Sequence, residues 1–329
     1  MARSPFDIIT ETSSGYVVSR SLNAVAEAGI ADALGDPPKG PEELAAATGT
    51  HAGPLSRILR LLSAYGVFEA RDGRYSHTPA SRLLRKDHPQ SLRSYVLMAN
   101  LPLFWNSLEA IDHSLRTGEP AIDKPFPGGI WNYLANHPDE GLVFNEAMGT
   151  KAQGQIVGII SSYDFSGFRT IADIGGGHGH LLRAVLSAAP KAKGILFDQS
   201  NVIQEAAGLA SDRLKLQEGN FFKDALPVAD AYLIMQVIHD WAEPEATAIL
   251  SAIRRAAPSH AKLLLIEAVV PETPGPDWAK MVDLFMLALA SGKERTRSEY
   301  QKLLAGAGFR LDRVIDVGQS TAILEAAPV

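Results

Sequence analysis

From Arg169 to Val270 a short apolar run is followed by a helical stretch and then by another apolar run, roughly 20–30 residues on. The runs are TIADIG, GILFD, LKLQEGNFF, AYLIMQV and AKLLLIEAVV. A chain that alternates in this way has one economical solution, a parallel sheet with helices on both faces. LLLIEAVV is apolar at nearly every position rather than at every second one, as a strand covered on both sides must be. The last two runs, FRLDRVIDVG and TAILEAAPV, are joined by a short Gln-Ser turn and predict an antiparallel edge. The expectation is an α/β, doubly wound, mostly parallel sheet of seven strands over 161–329.

The preceding residues read differently. SLNAVAEAGIADAL, Ser21 to Leu34, has apolar residues at helical spacing. Pro41-Glu42-Glu43 suits a helix start, since proline fits the first turn and acids favour the positive end of the helix dipole. SRILRLLSAYGVF predicts another amphipathic helix, and Asp72-Gly73 within FEARDGRYSHT is a hairpin signal. Helices followed by a small hairpin are the layout of a winged helix, expected over 1–100. A helical connection rich in large apolar groups follows over 101–160. Residues 1–100 hold 11 Lys/Arg against 10 Asp/Glu, a balance of +1 with no basic stripe. The whole chain carries −6. Both argue against a nucleic-acid partner and for a dimerisation or lid role.

There is no cysteine, which excludes disulfides, thiolate metal sites and cysteine nucleophiles. The N-terminal stretch MARSPFDIITETSSG lacks the apolar core of roughly 7–15 residues that a secretory leader needs. No apolar run approaches the ~18 residues of a membrane span. The expectation is a cytoplasmic protein with no membrane partner.

The first strand of the sheet runs into IADIGGGHGH, with four glycines in the five positions 175–179. In doubly wound sheets ligands lie outside the carboxyl ends of the strands, and glycine lets a ligand approach the backbone. A dinucleotide site wants G-x-G-x-x-G. Gly175 and Gly177 fit, but the third place falls on His180, whose bulk opposes close helix–strand packing. The pattern acid-x-G-x-G-x-G is filled completely by Asp173, Gly175, Gly177 and Gly179. Asp198, 21 residues after Gly177 at the end of GILFD, is placed to accept the hydroxyls of a ribose.

AYLIMQV leads into IHDW, so His239 stands at the carboxyl end of a parallel strand, facing the crevice. Glu267 lies inside LLLIEAVV, where a charge is expensive unless paired. Glu294 lies in SGKERT after the apolar helix MVDLFMLALA. A glutamate and a histidine from adjacent strands orient the imidazole and stabilise its charged form.

These blocks, DIGGGHG, FD, GNFF, HDW, IEAVVP, GKERT and the closing GAGF, together with the winged-helix start, resemble the plant-type small-molecule O-methyltransferases and their bacterial relatives. Those are class I enzymes that use S-adenosylmethionine (SAM). The resemblance runs through most of the chain. It implies SAM as cofactor and S-adenosylhomocysteine as product, no metal, and a homodimer whose N-terminal domains intertwine. It implies His239 as general base flanked by Glu267 and Glu294. The implied cofactor contacts are Asp173, Gly175, Gly177, Asp198, Asn220, Phe221 and Trp241. The implied substrate contacts are Phe144, Met148, Phe285 and Met286. The chain departs from many plant members at two cofactor positions, with Asn220 in place of aspartate and Met235 in place of lysine.

The implied reaction transfers a methyl group to a hydroxyl of a small aromatic or polyketide-like metabolite. A phenol of pKa ~10 and a histidine of pKa ~6.5 leave roughly 5 kcal/mol for full proton transfer. Carboxylates that stabilise the imidazolium narrow that gap, whereas an aliphatic alcohol would widen it. Uncharged walls of Phe and Met suit a planar apolar acceptor. Two other uses fit the same sequence pattern: SAM-assisted decarboxylation or hydroxylation, and a ligand-sensing winged-helix regulator.

Overall fold

The computed structural model describes residues 4–329. Met1 to Arg3, the start of the stretch weighed above as a leader, lie outside the described residues. The chain divides into two compact units. One runs to Asn106 and takes up Trp131–Ala152; the other holds Ser107–Ile130 and Gln153–Val329. Among the described residues no helix is long and apolar enough to cross a membrane.

In the first unit, helices Gly15–Glu27, Ile30–Leu34, Pro41–Thr48 and Ala52–Ala64 precede a hairpin of β1 (Phe68–Arg71) and β2 (Arg74–His77). The helix expected across Ser21–Leu34 is broken at Gly29, which adopts φ +67° and ends one helix while starting the next. Only glycine enters that left-handed region at little cost. Pro41 opens its helix as expected, and the Glu43 carboxylate accepts the Gly40 N–H at 2.8 Å. Asp72 and Gly73, with φ +50° and +74°, form the hairpin turn. Leu34, Leu44, Leu59, Leu62 and Phe68 make the core of this unit.

The second unit holds the sheet. Its strands are β3 (Thr170–Ile174), β4 (Lys193–Asp198), β5 (Leu214–Glu218), β6 (Ala231–Met235), β7 (Lys262–Val270), β8 (Arg295–Thr296), β9 (Phe309–Gly318) and β10 (Thr321–Pro328). The order is β5-β4-β3-β6-β7-β10-β9, with the two-residue β8 pairing only with the far end of β7. The strands from β5 to β7 are parallel, and β10 inserts antiparallel between β7 and β9. Gln319 and Ser320, both at positive φ, make the tight β9–β10 turn.

Successive residues of the central strands fall into different cores. Ile171, Leu264 and Ile323 pack with Ile159 and Val185 on one face; Ala172, Leu265 and Leu324 pack with Ile249, Ile253 and Leu303 on the other. That is why these strands are apolar throughout. β5 ends at Glu218, short of the GNFF included in the expected strand. Asn220 accepts the Phe222 N–H at 2.8 Å, and Asp224 accepts the Asn220 N–H at 2.7 Å. These side chains give the backbone a turn in place of a ladder. The chain runs outward from β3 to β4 and β5 in one direction, and to β6 and β7 in the other. A crevice therefore opens above the ends of β3 and β6.

Gly158, in helix Pro138–Ser162, lies against β9, where an added Cβ would sit 2.2 Å from the Val317 carbonyl oxygen. Gly158→Ala is expected to destabilise this unit by about 1–3 kcal/mol through overpacking, although alanine is the better helix former by about 1 kcal/mol. Gly167→Ala, whose Cβ meets nothing within 4 Å, is expected to stay within about 0.5 kcal/mol. Chemical denaturation of the two variants checks the contrast.

Candidate active site

The carboxyl ends of β3, β4, β5 and β6 bring most of the residues singled out in the sequence to one crevice. Gly175, Gly177 and Gly179 have φ of +69°, +56° and +68°, so each glycine of the turn is demanded by its backbone. A Cβ on Gly175 would come 3.1 Å from Val237 and 3.9 Å from the Phe221 ring; one on Gly177 would point into open space. Asp198, at the end of β4, accepts the Gly177 N–H through Oδ2 at 2.8 Å and the Gln199 N–H through Oδ1 at 2.7 Å. Each oxygen keeps a further lone pair for a hydroxyl. Phe221 packs edge-on against Trp241, with ring centroids 6.0 Å apart. Asp173 is buried beneath the turn. Burial, then the Asp198 charge, pushes its carboxyl up to about 7, against the opposing Leu182 N–H.

SAM fits this cradle by its chemistry. A bare turn admits the amino-acid end, a carboxylate suits a ribose diol, and an aromatic pair offers a face to adenine. Two carboxyl groups, one buried and one at the crevice, suit a ligand carrying positive charge.

His239 follows β6 in a single helical turn, Ile238–Asp240. Gln236 at φ +52° bends the chain out of the sheet just before it. That bend aims the Val237 and Ile238 N–H groups at Glu267 Oε1, at 3.2 and 2.9 Å. Glu267 stands on β7 and is wholly buried. Its other oxygen lies 3.7 Å from His239 Nδ1. The direct hydrogen bond to Nδ1 comes instead from Glu294 Oε1, at 2.8 Å. With Nδ1–H donating to a carboxylate, the neutral ring carries its free lone pair on Nε2, the nitrogen left to face an acceptor. Nε2 lies 3.5 Å from Asp240 Oδ1.

Burial works to lower the imidazole pKa. The Glu267 charge, the Glu294 hydrogen bond and the Glu294 charge outweigh it and raise the ring to about 9. Glu267 moves up from the ordinary carboxylate range, chiefly through burial. The three side chains could geometrically hold a cation, with ligand atoms all within 4.8 Å of one another. The short Nδ1–Oε1 contact is that of a charge-assisted hydrogen bond.

Phe285 and Met286 stand half-buried on helix Trp278–Leu289 of the sheet-bearing unit. Phe144 and Met148 belong to the other unit, where Phe144 stacks on Phe104 at 6.5 Å and meets Trp131 edge-on at 6.2 Å.

Three residues of the site escaped the sequence reading. Gln236 carried no signal, because left-handed backbone is not written in a glutamine. A Cβ on Gly292 would fall 1.8 Å from the His239 carbonyl oxygen, so the His239 turn passes directly over it. Arg295 is wholly buried beside Glu294. Three charged residues in a row after an apolar helix were the available sign of an ordered polar cluster.

Comparison with known proteins agrees with this architecture. Residues 105–310 match the O-methyltransferase domain family, and residues 10–87 match the O-methyltransferase dimerisation domain, the module for pairing with a second copy. A phenazine O-methyltransferase of Lysobacter antibioticus is 40% identical over 98% of this chain and 96% of its own. An O-demethylpuromycin-O-methyltransferase of Streptomyces alboniger is 34% identical over 96% of this chain and 87% of its own. The S-adenosylhomocysteine-bound structure of a calicheamicin-biosynthesis methyltransferase superposes with a TM-score of 0.92 at 33% identity, covering 100% of both chains. The chain therefore belongs to the SAM-dependent O-methyltransferase family.

Proposed function

We propose that the protein transfers a methyl group to a hydroxyl on an aromatic or conjugated ring of a small secondary metabolite, with His239 Nε2 as general base. The observation that supports this reading is the 2.8 Å bond from His239 Nδ1 to Glu294, which favours the tautomer with its free lone pair on Nε2. SAM, when bound, supplies a methyl group on a positively charged sulfur, already activated for displacement. The protein's part is alignment and proton removal. Alignment contributes several kcal/mol through entropy lost on binding rather than in the reaction. Nε2 takes the hydroxyl proton as the oxygen attacks, and Glu294 and Glu267 stabilise the imidazolium that results. An imidazole raised to about 9 faces a phenol of ~10 across roughly 1 kcal/mol, in place of ~5 kcal/mol for an ordinary histidine. The same shift makes the free base scarce at neutral pH, at roughly one molecule in a hundred at pH 7. Phe285 and Met286 are proposed as apolar contacts of the acceptor, in keeping with the aromatic compounds for which the relatives are named.

His239→Ala is expected to lower kcat/KM by about 10²–10⁴ while calorimetric affinity for S-adenosylhomocysteine changes less than about threefold. Equal loss of both would mean that His239 holds the cofactor and is not the base.

The pH dependence has a defined sign. The base works only when unprotonated, so kcat/KM is expected to rise by about tenfold per unit below the inflection and to level off above about 9. Glu294→Gln removes a stabilising charge and moves the inflection down toward ~6.5, with a plateau lower by about 10–100-fold. An inflection unmoved by this change would assign the titration to the acceptor.

Asp198→Ala is expected to weaken S-adenosylhomocysteine binding by at least about 10–100-fold, as the loss of even one charge-assisted hydrogen bond to a diol costs about 1.5–3 kcal/mol. Calorimetry with unchanged affinity would remove Asp198 from the cofactor site.

A further inference from the structure

Arg295, the first residue of β8, has no solvent-exposed surface. Its guanidinium is nonetheless fully engaged. Nε and Nη2 donate to Glu243 Oε2 at 3.2 and 3.0 Å, and Nη2 also donates to the Trp241 carbonyl at 3.2 Å. Nη1 donates to the carbonyls of Ile238 and Lys293 at 3.2 and 3.4 Å. Two of these carbonyls, on Ile238 and Trp241, bracket His239; the third belongs to the residue before Glu294. One planar side chain thus grips the turn that carries the imidazole and the segment that carries its carboxylate partner.

Other contacts tie the same two segments. The Glu294 N–H donates to Asp283 Oδ1 at 3.0 Å. Gly292 lies so close under the His239 carbonyl that no side chain fits there. On the far side of the clamp, Glu243 is exposed and opens helix Glu243–Ala256. Packing alone does not call for this arrangement. A buried guanidinium carries a desolvation penalty that a large apolar residue would avoid.

We propose that Arg295 is a positioning residue for the methyl-transfer reaction, locking the His239 turn and the Glu294 segment into one piece so that the Nδ1–Oε1 contact and the direction of Nε2 are fixed. The proposal rests on the reading of His239 as base. Arginine is required by geometry: the acceptors lie on four different residues, and a lysine ammonium offers three donors from a single point. The groups facing the imidazole are Glu294 beside β8, Glu267 on β7 and Asp240 on its own turn. Tyr300, on helix Arg297–Gly306, is buried near both glutamates; burial raises its pKa well above the ordinary value, and its hydroxyl donates to the Ala268 carbonyl at 3.3 Å.

The test is Arg295→Lys in the full-length protein, read in three ways: kcat and KM, the titration midpoint of the His239 imidazole by nitrogen-15 NMR without substrate, and thermal unfolding. The positive charge is retained, so a change in the midpoint reports geometry. The expected result is a fall in kcat of about 10–100-fold with KM within about threefold, and a drop in the His239 midpoint of about one unit or more. A wild-type midpoint together with a wild-type kcat, or with loss of thermal stability alone, would overturn the proposal. Should Arg295→Lys fail to fold, Glu243→Ala removes two of the five contacts from an exposed position. It is expected to shift both readouts in the same direction by a smaller amount, and wild-type values there also overturn the proposal. The NMR midpoint needs no turnover, so it stands apart from the base assignment, which fails separately if His239→Ala retains full activity.

Discussion

Two carboxylates buried against one imidazole constrain the rest of this site. Glu267 and Glu294 are both almost wholly removed from water, as is the ring they flank. Like charges so placed repel each other, and burial holds the Glu267 carboxyl above the ordinary range. The surroundings answer with directed positive potential. Two backbone N–H groups converge on Glu267, the imidazole Nδ1–H donates to Glu294, and the Arg295 guanidinium holds the Ile238 carbonyl beside the ring. The arrangement holds only if the turn after β6 has one shape. Its features, left-handed Gln236, the N–H groups aimed at Glu267 and the bare Gly292 beneath the His239 carbonyl, specify that shape.

The cofactor cradle follows the same logic one strand over. β3 and β6 are neighbours that feed connections running in opposite directions, so a crevice opens at their carboxyl ends. The bare turn after β3 and the histidine turn after β6 face that gap from its two sides. Val237 links them, since it approaches Gly175 while its own N–H is held by Glu267. On the proposed reading, a methyl donor and a proton acceptor are thus supported by adjacent strands of one sheet. This geometry suits a reaction in which a displacement and a deprotonation must meet at one oxygen.

Much of this was legible in the sequence because it depends on short-range chemistry. Apolar runs of strand length, Asp72-Gly73, Pro41 with Glu43, and the glycine turn each leave a local signature. The glutamate within LLLIEAVV was legible for the opposite reason, since a charge in a doubly covered strand must have a purpose. Other features depended on distant neighbours. Gly29 broke a helix whose periodicity ran on through it. Asn220 and Asp224 folded a turn where continued apolar character suggested strand. That Glu294, and not Glu267, makes the direct bond to His239 depends on where a two-residue strand docks on β7, and no spacing encodes it. Arg295 was hidden because a buried arginine and a surface arginine are written with the same letter.

The two departures at the cofactor rim are physically related. By the resemblance drawn from the sequence, many plant members carry an aspartate and a lysine where this chain has Asn220 and Met235. One change removes a negative charge and the other a positive charge, so the net charge of the rim is the same in both versions. At long range the field at the methyl donor then differs little, because a charge pair deleted together leaves mainly a short-range dipole. The local hydrogen-bonding pattern does change. Asn220 Oδ1 accepts the Phe222 N–H, and its amide nitrogen is a donor where an aspartate would offer a second acceptor. The cradle of glycines, Asp198 and the Phe221–Trp241 pair is unaffected by that exchange.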